Sequence, residues 1–161
     1  MKCICYVRAD GVSIGNPAEG ILRAMTGTGY GWNQAIKDYE VGKWTRPAPN
    51  GGGLTKAVAL AFVNAVADGG LTEAAALELL AAKDRPQEAL AHSIVEQATL
   101  PQDHYFRNAW RWATLPGFTI DMPQARDIHM NRIRVVRNAE LVKLDIPHMT
   151  ALSRGDVAGA A

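Results

Sequence analysis

The apolar positions change period along the chain, and the changes mark the elements. Lys2 to Arg8 reads KCICYVR, a short apolar run, and Val12 to Ile14 follows across Asp10-Gly11. Asp-Gly favours tight hairpin turns, so this pattern predicts a β-hairpin. Pro17 suits the first turn of a helix reaching about Met25, and Gly27, Gly29 and Gly31 end it. Trp32, Ile36, Tyr39 and Lys43 fall at helical spacing and predict a second helix over Trp32 to Trp44. Arg46 to Gly53, RPAPNGGG, reads as a linker. Leu54 to Ala67 and Thr72 to Lys83 are Ala-rich and read as a helical hairpin, with Thr72 as N-cap and Asp84-Arg85-Pro86 as stop.

Beyond Ala91 the pattern shifts to strands. His92 to Glu96 predicts one strand, and Ala109 to Trp112 with Phe118 to Ile120 predicts a hairpin across ATLPG. Asp121 is a natural N-cap for a long helix, with Pro123 in its first turn. That helix should run to about Leu144, where the approach of Pro147 interrupts it, and a short helix or tail follows. These elements predict an α+β protein. An N-terminal β-hairpin with helices would form a module over residues 1–84. A small antiparallel sheet packed on the long amphipathic helix would form a second over 85–161.

Two stretches carry most of the information. FRNAWRW, Phe106 to Trp112, alternates as a strand with Phe106, Asn108, Trp110 and Trp112 on one face and Arg107, Ala109 and Arg111 on the other. The aromatics would face the long helix, and the arginines would meet water or a partner. On that helix Ala125, Ile128, Val135, Val136, Ala139 and Val142 share one face, with Arg126, Arg134 and Arg137 opposite. Arg132 falls inside the apolar face, where it would snorkel or pair with a carboxylate.

Charge narrows the choice of partner. The chain holds 17 Lys plus Arg against 16 Asp plus Glu. Residues 1–85 carry 9 basic and 8 acidic side chains, and residues 86–161 carry 8 of each. Without a basic excess to hold a polyanion, nucleic acid is a poor fit and protein a better one. Cys3 and Cys5 stand two apart in a strand and predict buried free thiols, consistent with a reducing compartment. The N-terminal apolar run is too short for a signal sequence, and no stretch approaches the roughly 18 apolar residues of a membrane helix.

Candidate chemistry is sparse. TGTGYG, Thr26 to Gly31, follows a helix rather than a buried strand and lacks a Walker lysine, which favours a flexible inter-helix loop over a phosphate cradle. His92, His104, His129 and His148 have no metal-ligand spacing, and no nucleophile elbow accompanies Asp103-His104 or Asp127 with His129. The residues predict no catalytic site, no metal and no cofactor.

FRNAWRW, the apolar strand after it and DMPQARDIHMNRIRVVRNAELVKLDIPHMTAL together resemble small proteins encoded in tailed-phage and prophage genomes, often near tail genes. The match rests on Phe106, Arg107, Asn108, Ala109, Trp110, Asp121, Met122, Ala125, Arg126, Ile128, His129, Arg132, Arg134, Leu144, Asp145 and Met149, and it spans roughly residues 84–157. The resemblance implies a non-enzymatic structural or assembly role around the phage tail, exercised through protein contacts with a tail component or a second copy. It places the chain in the host cytoplasm and then the virion, and transfers no catalytic residue. The alternative of the same size class is a phage-encoded inhibitor of a host defence or metabolic enzyme. The partner-binding candidates are Arg107, Arg111, Arg126, Arg134 and Arg137.

Overall fold

A computed structural model describes residues 1–46, 53–113 and 117–155. The expected linker (mostly), the centre of the ATLPG turn and the end of the tail lie outside the described residues. The fold is α+β. Strands β1 (Lys2–Arg8) and β2 (Gly11–Gly15) are followed by helices α1 (Glu19–Thr26), α2 (Gln34–Thr45), α3 (Lys56–Asp68) and α4 (Glu73–Lys83), then by strands β3 (Ala89–Glu96), β4 (Trp110–Ala113) and β5 (Gly117–Ile120) and by helix α5 (Met122–Ser153).

The first compact unit comprises Met1–His104 and Trp110–Thr119. Its sheet runs β2-β1-β3, all antiparallel, so β1 is central. The hairpin loop is Ala9-Asp10 rather than Asp10-Gly11, because Gly11 already pairs with Arg8. The Arg8 guanidinium donates to both Asp10 carboxylate oxygens, at 3.0 and 2.9 Å, and braces that turn. β1 is apolar at successive positions because both its faces are covered. Ile4 and Tyr6, with Ile94 of β3, pack under α1, α3 and α4 against Met25, Phe62, Val63, Val66 and Leu80. Cys3 and Cys5 face the other way, against Val12, Ile14, Val95, Leu100, Trp112 and Phe118.

The helices start where their caps dictate. Asn33 accepts from the Ile36 amide, Thr55 from Val58 and Thr72 from Ala75. The TGTGYG segment is not a free loop. Tyr30 and Gly31 amides donate to the Val66 and Ala67 carbonyls, and Gly70 and Leu71 amides donate to Gly27 and Met25. Backbone lies directly on backbone there: a Cβ at Gly29 would collide with the Ala67 carbonyl, and one at Gly69, whose φ is +69°, with the Gly27 carbonyl. The glycines serve a close crossing between the ends of α1 and α3.

β3 corrects the expected boundary at residue 84. It adds to the free edge of β1, from Lys2 opposite Glu96 to Val7 opposite Ala91. The unit therefore continues through the strand assigned to the second module. FRNAWRW is also corrected. Arg107–Ala109 is a 3-10 turn, closed by the Ala109 amide donating to Phe106 O at 2.8 Å, and the strand begins only at Trp110. Ala109 ends that turn and Trp110 opens the strand, and both are buried. Trp110 and Trp112 meet Phe118 edge-on at 5.8 and 5.2 Å, and Trp112 covers the cysteine face of the sheet.

The second unit is Tyr105–Ala109 together with the chain from Ile120 onward. Asp121 caps α5 by accepting from the Gln124 amide at 3.1 Å. The helix does not stop before Pro147 but runs through it to Ser153. The missing N–H leaves the Lys143 carbonyl without its helical donor. Every residue around it is exposed, so water can take that role.

The glycine crossing makes a contrast that denaturation can measure. Gly69→Ala should lower unfolding free energy by about 2–3 kcal/mol. Gly42→Ala, inside α2 with open space at its Cβ position, should raise it by about 0.5–1 kcal/mol. Equal effects in urea titrations would contradict the crossing.

The core also sets an alkaline limit. Burial pushes the Cys5 thiol from its ordinary 9.0 to about 12 and raises Cys3. Burial, with the nearby Asp84 charge, pushes Tyr6 from 10.0 to about 12; its hydroxyl donates to Ala81 O at 3.2 Å. Unfolded thiols and phenol ionise first. Stability from these groups is thus intact below about pH 9 and should fall as pH rises toward 12. Thiol-reagent labelling at pH 8 should stay silent until denaturant unfolds the chain, and urea midpoints should drop above pH 9.

Candidate protein-interaction site

The candidate site is the surface of α5 and the turn that packs on its start. Tyr105 and Phe106 contact each other edge-on, with ring centres 4.6 Å apart, and the 3-10 turn follows. The Asp121 amide donates to Ala109 O at 2.8 Å, which ties the turn to the helix start. Ala125, small enough to let the turn approach, is the one residue of α5 described as buried.

One turn further along, Tyr105 is held by two helix residues. Its hydroxyl lies 3.0 Å from His129 Nδ1, donating when that nitrogen carries no proton. The Arg132 guanidinium lies over its ring, 3.9 Å from the centre. This is a cation–π stack that leaves the guanidinium edge open to further acceptors. Arg132 is exposed, as a snorkelling arginine would be, and the aromatic face beside it accounts for its place in the apolar stripe. Tyr105, Arg132, Ile133, Val136 and Arg137 line an open groove of about 350 Å³.

Four of the five predicted arginines belong to the second unit. Arg107 is exposed in the 3-10 turn and Arg126 is exposed early in α5. Arg134 donates to Asn131 at 3.1 Å, and only Arg137 joins the groove. Arg111 belongs to the first unit, where its guanidinium donates to the Asp10 carbonyl at 2.6 Å and steadies the hairpin turn. Tyr105 and His129 were not legible as site residues, although an arginine interrupting an apolar stripe, three residues after a histidine, was a signal for them.

Beyond the groove, every residue from His129 to Thr150 is exposed. Val135 is 70% exposed, Leu144 67%, Ile146 65% and Met149 62%. Magnitudes decide what this face does. Moving such a side chain out of water contributes about 1.5–3 kcal/mol, whereas an exposed arginine pair contributes roughly 0–1 kcal/mol. Affinity would come from the apolar residues, and the arginines would set orientation and encounter rate.

Among the described residues, no cluster of three or more His, Cys, Asp or Glu could hold a metal ion, and no helix is long and apolar enough to cross a membrane. No protein-family model, curated protein or solved structure matches this chain.

Removing the Tyr105 ring should loosen the helix start. Tyr105→Ala deletes the stack and the His129 contact, worth about 1 kcal/mol together at an exposed site. Amide hydrogen exchange in the first turns of α5 should quicken roughly fivefold, with the sheet amides unchanged.

Proposed function

We propose that this protein works by binding protein, with α5 as the contact element, and that it is a non-enzymatic tail-associated or tail-assembly component of a bacteriophage. The observation that carries the binding reading is the length of exposed, apolar-bearing helix from His129 to Thr150. A face of this kind on a water-soluble surface is a cost unless something covers it. The near-balance of 17 basic and 16 acidic side chains favours a protein over a polyanion as that cover.

The phage assignment rests on the resemblance of FRNAWRW and the DMPQARDIHMNRIR helix start to tail-region phage proteins. Assembly roles demand shape and repeated contacts rather than a reactive group. The thiols of this chain are buried with raised pKa values, which suits packing and not nucleophilic chemistry.

The experiment is proteomic. Purified particles, and tagged protein captured from infected lysate, should yield the protein with a tail component. Absence from particles together with no tail protein in the capture removes the tail reading. Stoichiometric recovery of a host enzyme in its place would establish the inhibitor alternative.

A further inference from the structure

Two guanidinium groups of the second unit stand in one groove without an anion. Arg132 lies over the Tyr105 ring, 3.9 Å from its centre, and Arg137 lines the same groove beside Ile133 and Val136. On a helix these arginines are about 7.5 Å apart along the axis and roughly 140° apart around it, and Val136 and Ile133 fall in the sector between them. Among the described residues neither arginine meets a carboxylate. The acids of the same helix are committed or turned away. Glu140, in the next turn, pairs with Lys143 at 2.6 Å, Asp121 caps the helix start, and Asp127 falls on the other side of the helix.

We propose that this groove docks an acidic, apolar-bearing segment of a partner protein. A bulky apolar side chain of that segment rests on Ile133 and Val136, and carboxylates beside it are received by Arg132 and Arg137. This rests on the reading of α5 as a protein-binding element and names the chemistry of the partner.

Charge and shape together select that occupant. A guanidinium stacked on an aromatic face keeps its edge N–H groups for an acceptor, and a carboxylate matches that fork with two parallel bonds. The stack also sets the plane of Arg132 before anything binds, so docking costs less side-chain freedom. Ile133 and Val136 are both exposed. A free anion leaves them wet, whereas an apolar neighbour of the carboxylate covers them. Nucleic acid fits the groove less well. One face of Tyr105 is under Arg132 and its ring meets Phe106 edge-on, which restricts base stacking, and a phosphate chain continuing along the helix would run onto Glu140.

The test uses the full-length chain and a yeast-displayed library of random peptides as the probe. Enriched peptides should carry Asp or Glu close to Leu, Ile, Met or Phe. The tightest of them, made synthetically, is then titrated by fluorescence anisotropy. Arg137→Gln leaves the Tyr105 stack in place and should weaken binding about tenfold, because docking takes the arginine and its carboxylate out of water, where the pair counts for more than an exposed one. Arg132→Lys keeps the charge, loses the fork and should weaken binding roughly fivefold. Arg134→Gln removes the same charge outside the groove and should change affinity by less than about twofold. A peptide with its acids replaced by amides should bind the parent and Arg137→Gln chains alike.

No enrichment, enriched peptides without an acid, or affinity indifferent to both Arg132→Lys and Arg137→Gln would overturn the proposal. So would a DNA duplex that binds through the same two arginines more tightly than any selected peptide. A groove that takes no acidic peptide, in a chain still recovered with a tail component, would lose this partner chemistry and keep the binding reading of α5. Peptides that depend on both arginines, with no tail component in the capture, would keep the groove and remove the tail reading.

Discussion

Two-sided burial of β1 is the constraint on which the first unit depends. A strand with Cys3 and Cys5 on one face and Ile4 and Tyr6 on the other is stable only if both faces and both edges are covered. β2 takes one edge as a hairpin and β3 takes the other from far along the chain. The helices cover one face, and Trp112 and Phe118 from the β4–β5 ribbon cover the second. The helical layer can be thin because α1 and α3 end against each other through bare glycine backbone at Gly27, Gly29 and Gly69. Small residues along α3 and α4, such as Ala59, Ala76 and Ala81, are fully buried and let the helices approach.

Much of this was legible locally. Caps at Thr72 and Asp121, Pro86 as a stop and the two-residue period of the first strands each carry their own physical signal within a few residues. The errors are equally specific. The pairing of β3 with β1 is a long-range choice that no local pattern encodes, and it moves the unit boundary well past residue 84. FRNAWRW alternates as a strand should, but a 3-10 turn takes Arg107 to Ala109 because the Ala109 carbonyl is claimed by the Asp121 amide. Pro147 reads as a terminator, yet the helix continues through it at a solvated position, where water can satisfy the freed Lys143 carbonyl. The TGTGYG glycines look like freedom and prove to be proximity.

The candidate site divides in the same way. Arginine is conspicuous in a sequence, so five arginines stood out as partner contacts; Arg111 braces the hairpin turn of the first unit and Arg137 lines the groove of the second. The large apolar side chains along α5 are exposed, and no sequence pattern reports that exposure. Amphipathicity was visible, but the absence of cover along α5 is a property of the folded chain. Arg132 shows why composition misleads here, since its place in an apolar stripe makes sense only once Tyr105 is seen beneath it.

The separation of β1 from β3 along the chain has a kinetic meaning. Cys3 and Val95 are 92 residues apart, so the centre of the sheet cannot close until β3 has been made. Closing a loop of that length costs about 4 kcal/mol of chain entropy before any ladder bond compensates. During synthesis the β1–β2 hairpin therefore waits with an apolar strand edge open, the kind of edge that recruits a neighbouring chain. Pairing across so long a separation makes folding of this unit slow for its size. It leaves the nascent hairpin as the point at which crowding or a chaperone decides between the native sheet and aggregation.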